Sequence, residues 1–438
     1  MAVIPHSRHR LRAKLAAAAT FAVLIIATRT ARADDWPQWR GPNRDGVYNE
    51  TGVLETFPAD GLKVLWRVPV GWGFSSPVVV QGRVFLSDAE LDDPNVKERV
   101  LCFDEATGKP LWTYSQVEGY PDWEFKPGQE QGPNATPVVV DGKVYALGPM
   151  GHRLFCLDAG GGKLLWKKDL EQEYEIASST AICASPLIEG KLLILLIGGK
   201  PDAGVVALDK DSGKEVWRSL DEYVAHSSPI VITAGGARQL IVWTLKSVTS
   251  LDPATGQPYW QEKFNSGGSA SVVSTPVFSD NRLLVNGLML KLDAEKPSAA
   301  VVWPEHPRHR LLSSTSTALW RGDYLYCCES SGQLVCREAS TGKEIWQSDK
   351  ATDSGYGTKA SLHLTINGDS VLLFNDLGEL IRARLTSEGY HEISRVPLIE
   401  PTYAFGGRKA AWSAPSFANR HVFARNDKEL ICSSLAAE

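Results

Sequence analysis

From Lys63 to the end of the chain, apolar and polar residues alternate in short runs broken by Gly, Pro, Asn and Asp. Alternation of period two predicts β-strands with one face buried, and dipeptides such as Gln81-Gly82, Asp141-Gly142 and Glu189-Gly190 between apolar runs predict hairpins. No long stretch has helical spacing. The same strand–turn–strand unit returns along the chain, as Leu101-Cys102-Phe103-Asp104 through Thr107-Gly108-Lys109 to Trp112, and as Val206-Ala207-Leu208-Asp209 through Ser212-Gly213-Lys214 to Trp217. In each copy the Asp suits an Asx turn, and the Gly suits a position with positive φ. Pro110 and Pro258 fill one slot of the strand that follows, so that strand should be an outer edge, because proline cannot donate to a ladder.

The repeats set the fold. Trp66, Trp112, Trp166, Trp217, Trp260, Trp303 and Trp346 recur every 43 to 54 residues. Between them lies a second motif of two small residues and Pro: Ser75-Ser76-Pro77, Ala135-Thr136-Pro137, Ala184-Ser185-Pro186, Ser227-Ser228-Pro229 and Ser274-Thr275-Pro276. Weaker copies begin near Ser316, Lys359 and Ser413. Eight units of four strands predict an all-β, eight-bladed β-propeller of antiparallel blades. The eighth unit ends at Ile431-Cys432-Ser433-Ser434 without a Trp strand, and Lys63–Val68 is a Trp strand without a unit. An N-terminal strand should therefore complete the last blade. A seven-bladed ring is the alternative, since the unit from Ser370 to Arg395 has lost its Gly-Lys and its Trp.

The first 62 residues lie outside the repeats. Residues 1–33 combine a basic start, an apolar run from Leu15 to Ala27 and Ala31-Arg32-Ala33, the pattern of a cleaved export signal. The run is short for a membrane span, so no transmembrane anchor is expected after cleavage and the product should be periplasmic or secreted. Residues 34–62, with Trp36-Pro37-Gln38-Trp39-Arg40-Gly41-Pro42, read as a strap across the propeller formed by 63–438. The whole chain has a formal charge of −5, and residues 1–33 hold six basic and no acidic residues, so the remainder carries −11. Such acidity disfavours nucleic acid as a partner.

The Asp-x-x-Thr-Gly-Lys-x-x-Trp unit resembles the pyrroloquinoline quinone (PQQ) repeat of the quinoprotein alcohol dehydrogenase-like superfamily. That resemblance implies the eight-bladed fold. It also implies one of two roles, a PQQ- and calcium-dependent dehydrogenase acting on alcohols or sugars, or a non-enzymatic relative that binds proteins. The adjacent Cys327-Cys328 is similar to the vicinal disulfide of the enzymes, although its slot at a strand end matches Leu86-Ser87 and Ala146-Leu147, which are packing positions. Cys102, Cys156, Cys336 and Cys432 share one repeat slot with Ala207 and Ser250 and are read as small core residues. No nucleophile elbow or metal-binding helix motif occurs, and no calcium–quinone ligand set can be placed on the sequence. The leading expectation is a non-catalytic binding or scaffolding propeller for a protein or small-molecule ligand.

Insertions collect in the turns between second and third strands and in the blade-to-blade connections, as at Asp88–Arg99, Thr113–Asn134 and Val396–Trp412. Both lie on one face, which is therefore the candidate binding face. The connections deliver Trp72, Asn134, His226, Arg310, Lys359, Arg408 and Trp412 just before the inner strands. Aromatic rings and cations there would suit an anionic or carbonyl-rich ligand. If these side chains converge on a common axial pocket, charge reversal at Arg408 is expected to abolish binding while leaving stability nearly unchanged.

Overall fold

The computed structural model describes residues 35–120, 125–126, 130–176, 181–264, 272–304, 312–313, 315–352, 360–405 and 407–437. Eight four-stranded antiparallel sheets form the blades. Blade 1 begins with the inner strand Val78–Val80 and ends with the outer strand Pro110–Gly119. In blade 8, Ser416–Ala418, His421–Arg425 and Glu429–Ser434 are completed by Val64–Pro69, which pairs antiparallel with Glu429–Ser434. The N-terminal closure and the count of eight both follow the repeat pattern. The degenerate unit is a full blade, because Leu362–Asn367, Ser370–Asn375, Glu379–Thr386 and Gly389–Pro397 keep their alternation after losing the Trp motif.

The repeated Trp and Gly form one contact. The indole Nε1 of Trp66 donates to the Glu105 carbonyl of the next blade at 2.7 Å, and Trp217 donates to Pro253 at 3.1 Å. Trp303 and Trp346 donate to Ala339 and Thr386 at 2.9 and 2.8 Å. Each of Gly108, Gly162, Gly213, Gly256 and Gly342 lies against the Trp ring of the preceding blade. Gly256 has φ +73°, and a Cβ there would sit 2.4 Å from the Trp217 ring. The glycine thus answers two demands, a left-handed turn and the close approach of an aromatic face. Gly256→Ala is expected to destabilise the protein by about 2–4 kcal/mol, combining backbone strain with overpacking. A denaturation midpoint equal to wild type would count against this docking. In blade 4 the pattern changes: Trp260 donates to Gln239 of its own blade, where the following turn has no glycine.

The small-small-Pro motif forms a ring around the axis. Ser76 N donates to Thr136 Oγ1 at 3.1 Å, Thr136 N to Ser185 Oγ at 3.0 Å, and Ser185 N to Ser228 Oγ at 3.0 Å. The sequence continues with Thr275 N to Thr317 Oγ1 and Leu362 N to Ser316 Oγ. Ser416 Oγ donates to the Pro77 carbonyl and joins blade 8 to blade 1. Except at Ser416, each hydroxyl accepts from a backbone amide of the neighbouring blade, and Pro77, Pro137, Pro186, Pro229 and Pro276, where they follow, remove an N–H that would need a partner.

The cysteines are packing residues. Cys102, Cys156, Cys336 and Cys432 are fully buried, and burial pushes their thiols up. Cys327 and Cys328 are free thiols in the strand Tyr324–Cys328. Successive strand residues face opposite sides. Cys327 packs with Leu284 and Met289, whereas Cys328 packs with Leu362 and Leu364 of blade 7.

Candidate functional site

The axis is occupied by the chain itself. Residues 36–48 enter from the side of the turns between first and second strands, where Asp35 accepts from Gln81 N. They then touch nearly every inner strand. Trp36 pairs with Val79, Pro37 accepts from Val139 N, and Trp39 Nε1 donates to Thr275 Oγ1 at 2.9 Å. Arg44 donates to the carbonyls of Ser185, Pro186 and Pro229 at 2.7 to 3.0 Å. Val47 and Tyr48 return along Ile366, and Glu50 accepts from the amides of Asn419 and Arg420. The segment is therefore a plug inserted into the channel, with Trp39 to Arg44 at its tip.

The tip is electrostatically unusual. Arg40 and Arg44 both have left-handed backbone, with φ 60° and 59°, a conformation uncommon for such residues. Arg44 is buried and forms no ion pair with a described residue. Burial lowers its guanidinium to about 9 and that of Arg40 to about 10, the latter against the opposing pull of Asp45. Carbonyl dipoles, rather than a carboxylate, hold the Arg44 charge. These residues were not singled out in the sequence, where only the Arg-Gly-Pro-Asn-Arg-Asp-Gly turn chemistry marks them.

On the loop-rich side of the plug the connections build an aromatic wall. Trp412 lies 4.7 Å from Phe405, 5.2 Å from Tyr403 and 5.8 Å from Phe74, centroid to centroid. Its indole Nε1 is buried with no hydrogen-bond partner among the described residues. The Trp412 carbonyl accepts from, or faces, His363 Nε2 at 2.9 Å. Phe74 and Ser75 donate their amides to the Pro133 carbonyl, so Trp72–Ser75 and Pro133-Asn134 run side by side. Trp72 is anchored through its backbone to Ala89 in the blade 1 hairpin. That hairpin, Arg83–Asp92 with Asn95–Asp104, continues the blade as strand where the sequence suggested a loop insertion. The reason is that alternation persists through Ala89 and Val96, both fully buried.

Of the sequence-named residues, Trp72, Asn134 and Trp412 fall in one sector, at blades 8, 1 and 2. His226 belongs to blade 4, and burial lowers its imidazole to about 4. Arg310 and Lys359 lie outside the described residues. Arg408 departs from expectation. It is on the hairpin Tyr403–Phe405 with Arg408–Ala410, but its Nη2 meets Asp376 Oδ2 at 2.5 Å, with both side chains almost wholly buried. Burial raises the Asp376 carboxyl, and Arg408 opposes that rise. Reversing the charge at Arg408 would strand Asp376 and destabilise the fold, so it would not report on binding alone. Outside the mouth, the same hairpin and blade 8 border an open cleft of about 540 Å³ lined by Arg67, Glu400, Lys409, Lys428 and Glu429.

A family model described as outer membrane protein assembly factor BamB, built on the PQQ repeat, matches residues 96–266 and again 201–436. The chain belongs to that family. Among curated proteins, it is 26% identical over 259 residues to the quinoprotein alcohol dehydrogenase PedH of Pseudomonas putida, covering 56% of this chain and 36% of that protein. It is 29% identical over 162 residues to a 1-butanol dehydrogenase (quinone) of Thauera butanivorans, covering 32% of this chain and 25% of that one. The chain thus spans roughly a third or less of these relatives' length. Among solved structures, BamB from Moraxella catarrhalis superposes with TM-score 0.55 at 14% identity, over 85% of this chain and 99% of that one. The quinohemoprotein alcohol dehydrogenase ADH-IIG of Pseudomonas putida gives 0.62 at 13%, over 92% and 80%. At these identities the two structures establish the fold of this PQQ-repeat propeller and nothing further.

PQQ, which the family resemblance implies, does not fit the space enclosed beside the plug among the described residues. The space enclosed beside Trp39, Arg40 and His363 is about 20 Å³, room for roughly one water molecule. No three His, Cys, Asp or Glu side chains converge as a metal site among the described residues.

Proposed function

We propose that the protein is an exported, non-catalytic binding propeller that holds a protein partner at its loop-rich axial face. The observation that carries this reading is the plug: Trp39, Arg40 and Arg44 fill the channel that a buried small-molecule site would need. On the loop-rich side of the plug, Phe74, Phe405 and Trp412 form a cluster of partly exposed rings. Partly exposed aromatic rings of this kind suit apolar and carbonyl-rich segments of a protein partner. The BamB family match supports a protein as the occupant. Export rests on the composition of residues 1–33, and no helix among the described residues is long and apolar enough to cross a membrane.

A photo-crosslinking amino acid at Phe405 should trap a partner in cells, and the same group at Arg420, on the opposite face, should not. Equal adducts from both positions would refute the assignment of the face. The second reading, a quinoprotein dehydrogenase, is favoured by the similarity to PedH. It has its own test. Incubation with PQQ and Ca²⁺ should leave the melting temperature unchanged and give no dye-linked alcohol oxidation. Saturation at 100-fold over Kd would add about 2.7 kcal/mol of stability, an easily read shift that would overturn the binding-propeller reading.

A further inference from the structure

The outer edges of the blades are unequal. An edge strand exposes a row of unpaired N–H and C=O groups, and proteins blunt such edges with charge or brevity. Six of the other seven outer strands carry a charge, including Arg67, Lys167, Arg218, Glu262, Glu344 and Arg395, and the seventh, Ala299–Trp303, is five residues long. The blade 1 edge, Pro110–Gly119, is ten residues long and has no charge from Pro110 to Val117. Its ladder to the third strand is unbroken from Trp112 to Gly119. Leu111 and Val117 on its open face are 42% and 62% exposed.

The order of residues along this edge identifies the occupant. In an antiparallel pair, residues with outward-facing amides must meet each other, so two copies of one strand can pair about a dyad through a residue. A dyad through Tyr114 sets Leu111 beside Val117 of the other strand, Trp112 beside Gln116, Thr113 beside Ser115, and Tyr114 beside itself. Apolar meets apolar and hydroxyl meets hydroxyl on the exposed face. Moving the dyad to Thr113 sets Leu111 beside Ser115 and Val117 beside Lys109, and moving it to Ser115 sets Thr113 beside Val117. Only the Tyr114 register matches throughout. We propose that the blade 1 edge pairs with the same edge of a second copy of this chain, joining two blades into one eight-stranded sheet across a two-fold axis. Such a contact is isologous and closes on itself, so it yields a dimer rather than a fibre.

Sedimentation velocity across a concentration series tests this. A contact of one strand pair lies at the small end of interface sizes, so association with Kd of about 10–500 μM is expected. Amides 111–117 should gain hydrogen-exchange protection as the concentration rises. T113K/S115K places Lys opposite Lys twice in the dimer and should weaken it by about tenfold. T113E/S115K places Glu opposite Lys in the same register and should restore association to near the wild-type value. Thr113 and Ser115 are both exposed, and the melting temperature of each variant checks folding. A wild-type protein that stays monomeric at about 1 mM would overturn the proposal, as it would if the edge instead takes an extended segment of another protein. Dimerisation unaffected by T113K/S115K, or not recovered in T113E/S115K, would overturn it equally.

Discussion

Folding stability should fall steeply as the pH is lowered from 6.5 towards 4. His226 and His363 are both half-buried, and desolvation lowers each imidazole from 6.5 to about 4. For His363, Arg40 adds to that lowering, and the bond to the Trp412 carbonyl opposes it. The folded protein therefore holds neutral rings where the unfolded chain binds protons. Stability is fully present above 6.5 and is lost as the pH falls towards the folded-state value, by up to about 3 kcal/mol for each histidine. Asp376, whose carboxyl is raised by burial, acts with the opposite sign near the bottom of the window. The carboxylates held low by turn hydrogen bonds, such as Asp104 and Asp209, act below it. Urea denaturation at a series of pH values measures the slope. The double variant His226→Gln/His363→Gln should flatten it, and a wild-type profile already flat between 6.5 and 4 would refute the assignment.

The second large effect belongs to the seals between blades. Trp217 is 7% exposed, packs with Ala207, Leu240 and Val242, and closes over Gly256 of the following blade. Trp217→Ala removes that aromatic surface and leaves the Pro253 carbonyl without its donor. A loss of about 3–5 kcal/mol is expected, as for other buried aromatic truncations. A midpoint in chemical denaturation within experimental error of wild type would show that the seal contributes nothing. Trp260, which bonds within its own blade, is the natural comparison, because its truncation leaves no carbonyl of the next blade unpaired.

Most of the ring was legible because its rules are local and repeated. Turn glycines, edge prolines and alternating strands each carry a signal in a few adjacent residues, and five copies of the Trp–Gly spacing reinforce one another. The small-small-Pro motif was visible as the start of an inner strand, yet its reason was not. The hydroxyl of Thr136 is needed by the amide of Ser76, sixty residues away, and no spacing rule links them. The plug was read only as a strap, since an irregular segment has no period from which to infer where its side chains go. Arg44 finds its partners at Ser185, Pro186 and Pro229 through the closed ring alone. Arg408 shows the same limit. Asp376 sits in a turn reading Asn-Asp-Leu-Gly, and nothing in that string marks the carboxylate as the partner of a cation on a later hairpin. Site residues brought by connections depend on long-range placement, whereas strands depend on neighbours.

The joining of Val64–Pro69 to Glu429–Ser434 has a kinetic consequence. The first strand of the ring to leave the ribosome cannot find its partner until the last has been made, and the plug residues before it share that delay. Loop-closure entropy grows only slowly with length, so the final seam is thermodynamically affordable, but pairings so distant in sequence make folding slow. Until then Val64 and Leu65 remain an unpaired apolar edge. Such a chain stays open to chaperones for the whole of its synthesis, and its ring closes only once the last strand is available.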